Sequence, residues 1–188
     1  MNTVSYDVQS AEKASRVELF VRIIWGIISL IVMSILGIIA YICYVLEWLA
    51  ILITGKRVSA LDGMLKTFVT YNAQMTSYMS LLTDERNPIM PSSSASMNTL
   101  KYSVNSSVNA SRIELIIRFI WSIPTSIVLS ILSIIAYVCY VLQWIAILIL
   151  GKRIMALNGV IKALVKYSVL YTTYFFLVTD ERSPLIPG

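Results

Sequence analysis

From the amino end, a polar stretch containing the alternating run Val4-Ser5-Tyr6-Asp7-Val8 gives way at Ser15-Arg16-Val17-Glu18 to a long apolar segment. Between Leu19 and Thr54 only Arg22 and Glu47 carry charge. The alternating run reads as a weak strand, and the S-x-x-E before an apolar run is a helix-start signature. Gly55-Lys56-Arg57 then ends the helix, because glycine accepts the left-handed cap conformation and cations suit a helix C-terminus. Leu61, Leu65, Phe68, Val69, Tyr78 and Leu82 recur at helical spacing, with Lys66, Thr70, Asn72 and Gln74 between them. That is an amphipathic second helix.

The whole pattern then repeats. A shift of 96 residues without a gap aligns Met1-Asn2-Thr3 with Met97-Asn98-Thr99 and Thr83-Asp84-Glu85-Arg86 with Thr179-Asp180-Glu181-Arg182. Roughly half of the paired positions are identical, the signature of a duplication. The chain therefore divides into a first repeat at 1–91, a Ser-rich linker at 92–96 and a second repeat at 97–188. Helices are expected near 16–54, 59–82, 112–150 and 155–178, with one short strand per copy able to pair with the other. A 39-residue helix is about 58 Å long against about 30 Å of hydrocarbon, so it tilts, projects or bends. The bend candidates are Gly26, Gly37 and Pro124. We favour an in-plane first turn or two, followed by a spanning segment from about residue 27.

Composition narrows the class. Hydrophobic residues make up 57% and charged residues 13% of the chain, where a soluble domain carries about 25% charged residues. This reads as an integral membrane protein in the cell membrane, multi-pass and all-α: a tandem two-helix transmembrane hairpin with four membrane helices. The net charge of +5 suits lipid headgroups rather than nucleic acid. Histidine is absent, which removes imidazole metal ligands and Ser-His or Cys-His catalysis. No cofactor or metal is expected, and the chain is not expected to be an enzyme.

Four basic residues at the turns, Lys56, Arg57, Lys152 and Arg153, are candidate lipid-phosphate contacts. Glu47 invites a proton-relay reading, but its counterpart Gln143 holds no proton, so contacts Glu47–Lys66 and Gln143–Lys162 inside each hairpin are expected instead. The second helix either spans beside the first or lies in the interface. The short basic turn favours two spans, which puts a pseudo-twofold along the membrane normal. Both turns then lie on one side, with the termini and residues 91–110 on the other. Asp84-Glu85-Arg86 reads as a capped exit or a docking loop.

The order of these motifs resembles the small prokaryotic membrane proteins grouped as domain of unknown function 4389. The carrying residues are Ser111-Arg112, Ile123-Pro124, Trp48/Trp144, Leu52/Leu148, Gly55/Gly151, Leu61/Leu157, Tyr71/Tyr167, Leu82, Asp84/Asp180 and Pro88/Pro184. The first copy departs from the pattern with Ile28 where the second has Pro124. The resemblance implies membrane insertion and no particular chemistry. The leading expectation is a non-catalytic membrane subunit or scaffold, with lipids and other transmembrane subunits (or itself) as partners. The alternative is a homo-oligomeric channel or small carrier, with a polar path along Lys66, Asn72, Gln74, Lys162, Lys166 and Thr172.

Overall fold

A computed structural model describes residues 1–186. The elements run β1 (Val4–Val8), α1 (Arg16–Thr54), α2 (Ser59–Met79), β2 (Leu100–Val104), α3 (Arg112–Leu150) and α4 (Met155–Phe175). Both long helices start on the expected serine caps: the Ser15 and Ser111 hydroxyls accept the Glu18 and Glu114 backbone N–H groups, the half of the capping box that forms here. Both end on glycine. Gly55 and Gly151 take φ of 71° and 69°, a conformation that costs a Cβ-bearing residue more, and their N–H groups return to Ile51 and Ile147. The short helices stop three residues earlier than expected, because Leu81 and Leu177 turn to φ of 63° and 64°. That left-handed turn is uncommon for a leucine and has a purpose described below.

Neither Gly26, Gly37 nor Pro124 interrupts α1 or α3, each of which is a continuous helix of 39 residues. The expected first turn or two is not a separate element, since it is continuous with the rest of each long helix. The hydroxyls around Pro124 bond back to helix carbonyls, Ser122 to Phe119 and Thr125 to Trp121.

Within each repeat the helices form an antiparallel hairpin, with Gly26 beside Met79 and Gly37 beside Phe68. Between repeats the long helices are also antiparallel. Arg16 donates to the Ile149 carbonyl and Arg112 to the Ile53 carbonyl, so each helix start meets the other helix's end. Ala110 N–H donates to Gly55 O, and Ala14 N–H to Gly151 O. This corrects the expectation that the two hairpins run in the same direction. The two GKR turns sit at opposite ends of the long helices, and residues 109–110 lie beside the first turn rather than across from it.

β1 and β2 pair antiparallel, as expected, with Tyr6 opposite Tyr102 at the centre. The sheet rests on α2 and α4, where Tyr6 and Tyr102 reach Ser77 and Thr173 through hydrogen bonds of 2.8 and 2.9 Å. The layers are therefore sheet, then α2 with α4, then α1 with α3. The core lies between helix layers, on Leu36, Ala40, Phe68, Val69, Val165 and Phe176. Phe176 packs against Tyr41, Tyr44 and Phe68 across the repeat boundary.

The outer side of α1 and α3 is uncovered. From Val17 to Ile53 every exposed residue of α1 is apolar or tyrosine except Ser34, whose hydroxyl bonds to its own helix at Leu30. In α3 the exposed serines 126, 130 and 133 likewise return to carbonyls of their own helix. α1 and α3 are long and apolar enough to cross a membrane. α2 and α4 are shorter, more polar and largely covered by their neighbours.

Candidate functional site

The chemistry of the chain concentrates in two equivalent clusters, one at each end of the long helices. In the first, Asp84 receives Arg22 of its own repeat and Arg153 of the other. In the second, Asp180 receives Arg118 of its own repeat at 3.2 Å and Arg57 of the other at 2.6 Å. Each aspartate also accepts the backbone N–H of the residue that caps its own repeat's long helix: Ser15 for Asp84, at 2.9 Å, and Ser111 for Asp180, at 3.0 Å. Each cluster thus ties the GKR arginine of one repeat to the TDER aspartate of the other.

The arginines are held from several sides. Arg57 Nε donates to Leu177 O at 2.8 Å and its Nη1 donates to Ser107 O at 2.7 Å. Arg153 repeats this with Leu81 O at 2.7 Å and Ala11 O at 2.9 Å. The left-handed turns at Leu81 and Leu177 aim those carbonyls, which explains why the short helices stop there. Only a planar guanidinium presents donors in so many fixed directions, so a lysine cannot replace it. Arg22 and Arg118 are buried over the Tyr78 and Tyr174 rings, each 4.3 Å from the ring centre.

The next residue of the motif works in the same reciprocal way. Glu85 accepts the N–H groups of Asn98 and Thr99, and Glu181 those of Asn2 and Thr3, all at 2.6 to 2.8 Å. Each carboxylate therefore pins the start of the opposite repeat. Burial pushes both carboxyls up, but the hydrogen bonds from Asn98 and Thr99, and from Thr3 and Asn2, outweigh it and hold them below the ordinary glutamate value. Arg86 and Arg182 then close on Glu18 and Glu114 at 3.0 Å.

These residues answer the docking-loop question. Asp84, Glu85 and Arg86 are all engaged inside the molecule, so TDER is an internal fastener. Arg57 and Arg153, candidate lipid-phosphate contacts by sequence, are buried in the clusters, with their donors taken by Asp180 and Asp84 and by backbone carbonyls. Lys56 and Lys152 are exposed, Lys152 lying 3.5 Å from Glu12. Glu47 and Gln143 are fully buried, yet neither meets the lysine expected. Glu47 accepts the Val58 N–H at 3.1 Å and Gln143 the Ile154 N–H at 3.2 Å, each holding the start of the short helix that follows. Lys66 pairs with Asp62 at 2.7 Å, and Lys162 with Asp7 at 2.6 Å. Gln74 reaches Ser96 in the linker. The polar side chains of the short helices thus face the sheet and linker. Cys43 and Cys139 are free thiols.

The clusters missed by sequence reasoning had one visible signal. Arg22/Arg118, Arg57/Arg153, Asp84/Asp180 and Glu85/Glu181 are retained in both copies, whereas Glu47 is not. Among the described residues no group of three or more acidic or thiol side chains is placed to hold a metal ion.

No curated protein and no solved structure matches the chain. The family model described as Domain of unknown function (DUF4389) matches it twice, over residues 16–89 and 112–184. Each match runs from the start of a long helix through the TDER motif, so it takes in every arginine and carboxylate that one repeat gives to the two clusters, which act as clasps between the repeats. The chain belongs to the DUF4389 family and carries its domain in two tandem copies.

Proposed function

We propose that the protein is a non-catalytic membrane scaffold of the cell membrane, embedded through α1 and α3, that holds other transmembrane proteins beside it. The observation that carries this is the outer face of the α1/α3 layer. It is apolar along both helices, and its few hydroxyls are turned back onto helix carbonyls. An exposed apolar surface of that extent marks a membrane or partner interface. The charged and hydrogen-bonding groups are meanwhile drawn into the two clasps, where they fasten repeat to repeat. An internal fastener and an apolar exterior suit a rigid body that works by contact.

Native mass in mild detergent tests the reading. The protein component of the particle is expected to exceed the chain's own 21.1 kDa, with cross-links from α1 or α3 to a second polypeptide. A lone 21.1 kDa chain free of cross-links overturns it.

A further inference from the structure

The repeats are related by a pseudo-twofold whose position follows from contacts already described. It passes through the sheet where Tyr6 meets Tyr102. On the long helices, Arg16 meets Ile149 and Arg112 meets Ile53, so the axis crosses them half-way, near Ile35 and Ile131. The sheet is therefore level with the middle of α1 and α3, on the other side of the α2/α4 layer.

An upright bundle fits a bilayer badly. Its 39-residue helices are about 58 Å long and apolar on their outer side throughout. Fitting about 58 Å into about 30 Å of hydrocarbon needs a tilt near 60°, where spanning helices tilt by about 0 to 40°. The sheet makes matters worse. Upright, it would stand at the bilayer's mid-depth with Ser5, Asp7, Lys101 and Ser103 exposed. Two strands leave open edges, and unpaired backbone groups do not occur against lipid. Aspartate or lysine at mid-depth adds a further desolvation cost.

We propose that the protein lies flat and is monotopic. α1 and α3 rest side by side in one leaflet with their apolar side in the acyl chains, and the pseudo-twofold stands along the membrane normal. α2 and α4 lie above them and the sheet faces water. A helix layer about 10 Å thick fits within one leaflet. Exposed Lys13, Arg16, Lys56, Arg112 and Lys152 cluster at the two ends of the apolar stripe, at the level of lipid phosphates. Flat placement also puts both GKR turns on one side of the membrane, although they are at opposite ends of the molecule.

This rests on the membrane reading above, and one experiment separates the two. The full-length protein, with Cys43 and Cys139 replaced by serine, carries a single cysteine at Lys56, Lys152 or Ser103. Sealed right-side-out and inverted membrane vesicles are treated with a membrane-impermeant maleimide. All three positions are expected to label from the same side, in membranes that retain the protein through an alkaline carbonate wash. Retained protein whose Lys56 and Lys152 positions label from opposite sides overturns the flat placement and leaves the scaffold standing. Release by carbonate overturns both. A second measurement does not depend on those variants. Spin labels at Val17, Ile35 and Ile53, which lie whole turns apart on one exposed line of α1, should report one common depth, whereas a profile deepest at Ile35 and shallow at both ends overturns the proposal.

Discussion

The two repeats are identical in the arginines and carboxylates that fasten them together and differ at many positions elsewhere, some of them buried. Every arginine and carboxylate of the two clasps is the same residue in both copies. By contrast, Ile28 answers to Pro124, Gly37 to Ser133, and Asp62 to Asn158. Lys66 finds its partner one turn away on its own helix, while Lys162 finds Asp7 in the sheet. The same lysine thus serves two different contacts, and the fold tolerates the exchange. What duplication preserved is the arginine–carboxylate chemistry of the two clasps.

The severest way to break this equivalence is to remove an aspartate. Asp84→Ala leaves Arg22 and Arg153 buried without their carboxylate, and Asp180→Ala does the same to Arg118 and Arg57. Breaking a buried pair in this way costs about 3 to 5 kcal/mol. Thermal unfolding in mild detergent should show two large and similar losses. A large loss at one site with a small one at the other would mean that the clasps are not equivalent.

A backbone test comes next. α3 carries Pro124 without interruption, yet α1 has not adapted to a proline at 28. Ile28→Pro should cost about 3 kcal/mol, the usual penalty inside a helix, while Pro124→Ile should be neutral or stabilising. Helix content and melting temperature distinguish the two.

Acid should loosen the clasps by degrees. The carboxyls of Glu85 and Glu181 sit below the ordinary glutamate value in the folded chain. Their stabilisation is therefore full above the unfolded value, near pH 4.5, and is lost as pH falls through the folded one. Melting temperature should decline below about pH 4.5, and less steeply in Glu85→Gln with Glu181→Gln. An unchanged slope in the double variant would remove these groups from the acid response.

The smallest effect is expected at Glu47. Gln143 already shows that an amide oxygen can accept the following helix's N–H. Glu47→Gln should change stability by less than about 1 kcal/mol, as one neutral bond replaces a charged one. Measured proton flux in liposomes should be unaltered.

Much of this fold was legible along the chain. The caps at Ser15 and Gly55, and the strand at Val4–Val8, follow from local rules, and all were recovered in both copies. The handedness of the assembly was not. Antiparallel packing of α1 on α3 is set by Arg16 reaching Ile149 and Arg57 reaching Asp180, pairings far apart in the chain that leave no periodic trace. Glu47 misled for a related reason. An acid in an apolar run looks like a relay or half of an ion pair, and a backbone N–H at the next helix start has no side-chain letter to announce it. The clasp arginines looked like headgroup binders because basic residues after a helix usually are exposed.

The spacing of the Arg57–Asp180 pair also sets a timetable for synthesis. The two residues are 123 positions apart. At about 5 to 20 residues per second, Arg57 leaves the ribosome roughly 6 to 25 seconds before its partner does. During that interval Arg57 has no Asp180 to pair with. The first repeat is thus held as a waiting half, and the molecule locks only when translation of the second is nearly finished.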